Sequence, residues 1–258
     1  MNNELYDKTF FETRLERTQI AAERVLTEVF DIYKPDSVID VGCGTGTWLS
    51  VCQQKGIQDI QGIEGPWLPK NIVEIEYEKI FIQNIEDKVK SEKKYDLSIS
   101  LEVAEHLTPD RAQSFIKDIC DISPVILFSA AIPGQGGLGH INEQWPSYWH
   151  KIFNEIGYVG FDLIRPRIWN DVEIRPFYRQ NIFIFVDADS DIYKSFDKYK
   201  NIISPIDIVH PSIFAQHHLR RMGLKKSISR VKKSFFQLIG VDNYESEVRK
   251  ELQKSMKM

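Results

Sequence analysis

Cysteine is scarce in this chain of 258 residues: Cys43, Cys52 and Cys120 are odd in number, far apart and without CxxC spacing. That excludes a disulfide-stapled scaffold and favours a reducing compartment. Long apolar runs are missing too. No stretch reaches the roughly 18–20 residues needed to span a bilayer. The opening MNNELYDKTFFETRLER is charged and has no apolar centre, so no secretory signal is read there. A soluble cytoplasmic protein is expected. Excess charge is also lacking: the formal net charge is −4, too small to draw the whole chain to nucleic acid or anionic membrane. No internal repeat and no low-complexity tract is found.

What is present is an alternation of short apolar runs with helical patterns. Apolar residues at Ile20, Val25, Leu26, Val29 and Phe30 predict a helix within 17–33. Strands are predicted at 36–42, 57–65, 79–84, 95–102, 124–134, 159–165 and 181–187. Helices are predicted at 45–56, 109–122 and 147–157, two of them stopped by Gly56 and Gly157. An irregular link is expected at 166–180. This pattern predicts an α/β fold: a Rossmann-like seven-stranded, mostly parallel sheet with helices on both faces and an antiparallel last strand. Three segments are expected: a helical cap over 1–35, a ligand-binding domain over 36–190 and a basic helical extension over 191–258.

VIDVGCGTGTW (38–48) carries three glycines in five positions directly after the first strand. A strand, a glycine turn and a helix make a crevice for a nucleotide-like ligand. Glu64 ends the second strand, where a carboxylate can accept ribose hydroxyl protons. The third glycine falls one place too early for a dinucleotide fingerprint. Asp40, just ahead of the turn, would repel a pyrophosphate and attract a cation. S-adenosylmethionine, with a sulfonium and an ammonium, meets that description.

These residues resemble the class I S-adenosylmethionine-dependent methyltransferases. The acid and GxGxG of that family are matched by Asp40, Gly42, Gly44 and Gly46, with Cys43 and Trp48 in the same segment. Its second acid is matched by Glu64, and its polar adenine contact by Gln83 or Asn84, with Ile85 beside it. Its strand-four segment is matched by SLEVAEHL (100–107), which brings in Glu102. The resemblance covers about residues 36–187 and implies S-adenosylmethionine as cofactor and S-adenosylhomocysteine as product. SLEV stands where base- and glutamine-directed members carry an NPPY-type tetrapeptide, so DNA is not expected as substrate.

Candidate proton-handling residues are His140 first, then His106, with Glu105 beside it. His140 lies in PGQGGLGHINEQWPSYW (133–149), a glycine-dense stretch expected to form a loop over the crevice. Glu143, Trp145 and Tyr148 are candidate acceptor contacts. Arg165, Arg167, Arg175 and Arg179 form a cluster in sequence, and Arg175 with Arg179 is expected to meet a phosphate or carboxylate. Glu102 with His106, and His140 with Glu143, would each share a face if helical. No compact ligand signature is present, and no resident metal is expected. GGLGHINEQWPSYW and YRQNIFIFV (178–186) resemble bacterial methyltransferases of surface polysaccharides and small metabolites. That likeness implies O-methylation of a sugar, phosphorylated or other small polar acceptor. The alternatives are N- or C-methylation of a small metabolite, or a non-catalytic scaffold.

From Ile208 to Val241 there is no Asp or Glu, while Arg220, Arg221, Lys225, Lys226, Arg230, Lys232 and Lys233 recur among apolar positions. The stretch 217–240 has three readings: a helix docked on the body or a second subunit, a peripheral membrane contact, or an RNA contact. A monomer or a homodimer is expected.

Overall fold

The computed structural model describes residues 15–200 and 206–215. The basic stretch 217–240 and residues 1–14 lie outside them. The strands are β1 (Ser37–Val41), β2 (Asp59–Glu64), β3 (Ile80–Ile82), β4 (Leu97–Leu101), β5 (Val125–Ser129), β6 (Tyr158–Phe161) and β7 (Phe183–Asp187). They form one seven-stranded sheet in the order β3-β2-β1-β4-β5-β7-β6. β1 to β5 are parallel, and β7 runs antiparallel to both β5 and β6. The expected Rossmann-like architecture is therefore the one formed.

Successive strand residues point to opposite faces, and both faces are apolar because both are covered. Val38, Leu97, Ile99, Leu101, Val125 and Leu127 share a core with α1 (Leu15–Ile32) and α2 (Thr47–Gln54). Ile39, Val41, Ile126 and Phe128 share the other with α3 (Ala112–Cys120) and α4 (Pro146–Ile156). α2 stops where Gly56 turns left-handed at φ 95°, and the Ile57 amide bonds back to the Cys52 carbonyl at 3.0 Å. α4 opens on Pro146 and closes on Gly157 in the same way.

Three boundaries differ from expectation. The N-terminal helix is no separate cap, because Ala21, Ala22, Val25, Leu26 and Val29 are fully buried in the main core. The link at 166–180 holds two short helices, α5 (Arg165–Ile168) and α6 (Pro176–Asn181). The first compact unit reaches His210, so the boundary expected at 190 falls inside it. A 3-10 helix over Asp191–Tyr199 buries Phe196 in the core. The His210 amide then donates to Gln180 Oε1 at 2.7 Å. Among the described residues, no helix is long and apolar enough to cross a membrane.

One packing constraint positions the crevice. Gly42 has φ 84°, and a Cβ built on it would lie 2.5 Å from Val103 Cγ2. Gly42→Ala combines a left-handed penalty with overpacking, so it is expected to destabilise the protein by about 2–4 kcal/mol. Urea unfolding will show this as a lower midpoint at unchanged slope. An unshifted midpoint would refute the packing argument.

Candidate functional site

The crevice lies at the carboxyl ends of β1, β2 and β4. Gly42, Gly44 and Gly46 all take positive φ, at 84°, 56° and 83°, a region that glycine occupies without steric cost. The turn is fastened on two sides. The Gly42 and Cys43 amides donate to the Ile63 carbonyl at 2.8 and 3.2 Å. Glu74 accepts from the Thr45 hydroxyl at 2.8 Å and from the Thr47 hydroxyl. Its neighbour Ile75 packs 3.0 Å from where a Gly46 Cβ would stand. Two of the three glycines thus make room for Val103 and Ile75, which the sequence pattern did not reveal.

Asp40, the penultimate residue of β1, is 2% exposed, and its Oδ2 has no hydrogen-bond partner. Burial, and then the charge of Glu64, push its carboxyl well above the usual range. Glu64 is also buried. Its Oε2 accepts from the Gly44 amide at 2.7 Å and its Oε1 from the Gly65 amide at 2.8 Å. Burial raises its pKa, and hydrogen bonds from Gly65, Gly44 and the Trp67 side chain oppose that rise. A carboxylate has about four lone-pair sites, so with these three donors in place about one remains for a ligand hydroxyl. Trp67, packed against Gly65, was not singled out from the sequence; an aromatic three residues after the strand-ending acid was the available signal.

Other expected cofactor contacts are placed differently. The side chains of Cys43, Trp48 and Ile85 are buried in the cores. Trp48 meets Tyr178 edge-on at 5.4 Å, and Cys43 Sγ fills the space beside Gly62. Asn84 Oδ1 accepts from the Glu86 amide at 3.2 Å, which shapes the turn after β3.

The acceptor side begins where β4 ends. Glu102 takes φ 58°, the only positive value at a non-glycine residue among those described. Its amide donates to the Ser129 carbonyl at 2.9 Å. Its carboxylate accepts from Gln135 Nε2 at 2.8 Å and Asn181 Nδ2 at 3.1 Å. A 3-10 turn over Ala104–His106 follows and carries Glu105 inward to 0% exposure. Neither Glu105 carboxylate oxygen has a hydrogen-bond partner. Burial, followed by the charge of Glu102, pushes this carboxyl well up, and the nearby backbone amides of Glu105 and Ala131 oppose that rise without completing a well-formed hydrogen bond.

His140 arrives from the loop after β5. Its Nδ1 is 2.9 Å from Glu143 Oε1 and its Nε2 is 3.9 Å from Glu105 Oε1. The His106 ring stands edge-on to it at 4.7 Å, with Nδ1 3.3 Å from the Gly139 carbonyl. The two histidines that the sequence offered as rivals therefore share one cluster with Glu105. Neither expected pair shares a helix face, because 104–106 is a single turn and 140–143 is not helical, although His140 and Glu143 still meet within their loop. Glu143 is engaged within its own loop, accepting from the Gly134 and Gly136 amides at 2.7 Å each. Trp145 is 40% exposed at the start of α4, and Tyr148 lies edge-on to Trp149 at 5.0 Å.

The four arginines do not form one open patch. Arg165 is fully buried and donates to both Asp162 oxygens at 2.8 and 2.6 Å. It also donates to the Gln180 and Ile206 carbonyls, so it is an internal tie with its donors satisfied. Arg167 donates to Glu28 Oε2 on α1 at 2.8 Å. Arg179 is buried and donates to the Trp169 carbonyl at 3.1 Å. Arg175 is partly buried, with an unpartnered Nε.

Residues 14–157 match the model of a protein family described as a methyltransferase domain. The sphingolipid C9-methyltransferase of Candida albicans is 30% identical over 122 residues, which are 43% of this chain and 24% of that protein. The chain thus spans about a quarter of that relative's length. An O-methyltransferase family protein from Burkholderia thailandensis has a similar structure, with TM-score 0.53 at 12% identity, over 73% of this chain and 62% of the other. At that identity the likeness shows the fold alone. The magnesium protoporphyrin IX methyltransferase of Synechocystis PCC 6803, solved with bound SAM, gives TM-score 0.47 at 16% identity, over 70% and 85% of the two chains. The family match covers more than half of the 258 residues, and the chain belongs to this methyltransferase-domain family.

Proposed function

We propose that this methyltransferase uses S-adenosylmethionine and methylates an oxygen of a small polar acceptor. The observation that carries the cofactor reading is the orphaned Oδ2 of buried Asp40 beside the three-glycine turn. A ligand ammonium supplies the donor that this oxygen lacks. Glu64 offers its spare lone pair to a ribose hydroxyl, and Gly42, Cys43, Gly44 and Gly46 line the ligand with backbone. Asn84 and Ile85 are assigned the adenine end. When bound, the cofactor supplies a methyl group made electrophilic by its sulfonium, and it leaves as S-adenosylhomocysteine.

The acceptor hydroxyl is assigned to the Glu105–His106–His140 cluster. His140 has Nδ1 fixed by Glu143, which leaves Nε2 oriented to receive a proton. A sugar in surface-glycan biosynthesis is the substrate class favoured by the likeness of the 137–149 and 178–186 segments to such enzymes. A phosphorylated acceptor has weaker support, since Arg165, Arg167 and Arg179 are engaged internally. The three cysteines are free and buried, which suits the cytoplasm. A monomer or homodimer, and a membrane contact through 217–240, remain part of this proposal.

A second reading has its own observation. Leu138 and Ile141, on the His140 loop, are 47% and 57% exposed, and the Candida albicans relative is named for methylation at a carbon of a lipid. An apolar acceptor methylated at carbon would use those side chains. Product analysis by mass spectrometry and NMR separates O–CH3 from C–CH3.

Two measurements test the cofactor site. In calorimetric titrations the wild type is expected to bind S-adenosylmethionine and S-adenosylhomocysteine at micromolar concentrations, with Asp40→Ala and Glu64→Ala each weakening binding at least about tenfold. A folded wild type that binds neither would refute the cofactor assignment. The second measurement uses ligand-free protein. Below about pH 4 the Asp40 carboxyl is protonated whether the chain is folded or not. As pH rises from there, the unfolded chain ionises freely while the buried carboxyl resists, so the wild type loses stability. Asp40→Asn escapes that loss, and at pH 8 it is expected to unfold at higher urea than the wild type. A lower midpoint for the variant at pH 8 would contradict the buried-charge argument.

A further inference from the structure

We propose that Glu105, His106 and His140 bind a divalent cation, contrary to the expectation from sequence that no metal is resident. One ligand atom from each of the three lies within 4.8 Å of the other two. Glu105 is fully buried, and both of its carboxylate oxygens lack hydrogen-bond partners. The 3.9 Å between its Oε1 and His140 Nε2 is too long for a hydrogen bond. Two ligand atoms about 2.1 Å from a common cation in tetrahedral array stand about 3.4 Å apart. Closure by a few tenths of an ångström would therefore complete this edge.

The imidazoles are prepared for ligation. Each Nδ1 faces an oxygen that can only accept, His140 towards Glu143 Oε1 and His106 towards the Gly139 carbonyl. In the neutral ring each Nδ1 is therefore the protonated nitrogen, which leaves the lone pair on Nε2. Carboxylate or carbonyl partners on the far nitrogen are the usual orienting groups of metal-bound histidine. Glu143 is itself fixed by the Gly134 and Gly136 amides, so this support is rigid.

Two imidazoles and one carboxylate suit zinc, manganese, iron(II) or cobalt better than magnesium or calcium, which take oxygen ligands. Three protein ligands leave at least one position open, as in catalytic rather than structural sites. The inference rests on the proposed function only in taking this cluster as the acceptor side. An acceptor hydroxyl in the open position would be held and acidified by the cation. His140 would then be a ligand, and the proton of the acidified hydroxyl would pass to solvent water as the methyl group is transferred.

The test uses chelator-treated, full-length protein titrated with Zn2+, Co2+ and Mn2+ by calorimetry, with visible absorption for Co2+. One cation per chain is expected to bind. His140→Ala and Glu105→Gln are each expected to weaken binding at least tenfold, and Glu143→Gln about 10–100-fold. Circular dichroism checks folding; should buried Glu105→Gln fail to fold, the loop variant His140→Ala decides the matter. A folded wild type that binds none of the three ions overturns the proposal, and so does binding undiminished in His140→Ala. S-adenosylmethionine titration of the same samples reports the cofactor site separately. Its failure would sink the cofactor reading and leave the cation result standing.

Discussion

The side chain of Val103 occupies the space where a side chain on residue 42 would begin. This contact locks the end of β4 onto the end of β1. It requires glycine at 42 and a chain that turns sharply after Leu101. The turn is supplied by Glu102 in a left-handed conformation, which costs about 1–2 kcal/mol at a non-glycine residue. Hydrogen bonds from Gln135 and Asn181 to its carboxylate, and from its own amide to Ser129, offset that cost. With Val103 seated, the next turn has little choice of direction, and Glu105 enters the interior. The glycine turn and the Glu105–His106–His140 cluster are thus two outcomes of a single packing event.

The same region gathers Asp40, Glu64, Glu102 and Glu105 at the carboxyl ends of β1, β2 and β4, all with pKa values raised chiefly by burial. Unliganded, such a group of acids weakens the fold. Glu64 and Glu102 are compensated by amides, but Asp40 and Glu105 keep oxygens without partners. Asp40 lies two residues before the first turn glycine, and Glu105 stands beside His140. The fold has satisfied the acids that shape backbone and left oxygens of Asp40 and Glu105 without partners, the two that the proposals assign to cationic ligands. That is the pattern of a site trading stability for binding.

Much of the architecture was legible because it is written in local periodicity. Apart from Asp40, VIDV and LSISL are apolar or small, as doubly covered strands are, and Gly56 and Gly157 mark real helix ends. The sharp turn at Gly42, Gly44 and Gly46 was legible because three close glycines directly follow a strand; the cofactor roles of these residues, Asp40 and Glu64 belong to the proposal. What escaped depends on contacts across long stretches of chain. Nothing local says that Gly46 makes room for Ile75, or that Asn181 reaches Glu102. The arginine cluster misled for the same reason: adjacency in sequence could not show that Arg165 turns inward onto Asp162 while Arg167 turns towards Glu28 on α1. The boundary at 190 was drawn where the strand pattern ends, but Phe196 is an aromatic anchor whose burial extends the first unit.

The loop after β5 shows how composition and order can part. Its glycines at 134, 136, 137 and 139 suggest a mobile flap, and Gly134, Gly136 and Gly139 do take positive φ. Yet Glu143 collects the Gly134 and Gly136 amides and His140 Nδ1 with its two oxygens. The Ile141 and Asn142 amides both close onto the Glu105 carbonyl at 2.9 Å. Here glycine serves geometry: it lets successive amides converge on one carboxylate, an arrangement that side chains would obstruct. A histidine held this way pays little ordering entropy when its ligand arrives, and its tautomer is already set. The glycine-rich sequence therefore builds a pre-formed wall of the crevice, carrying His140 to a buried carboxylate that the end of β4 has already put in place.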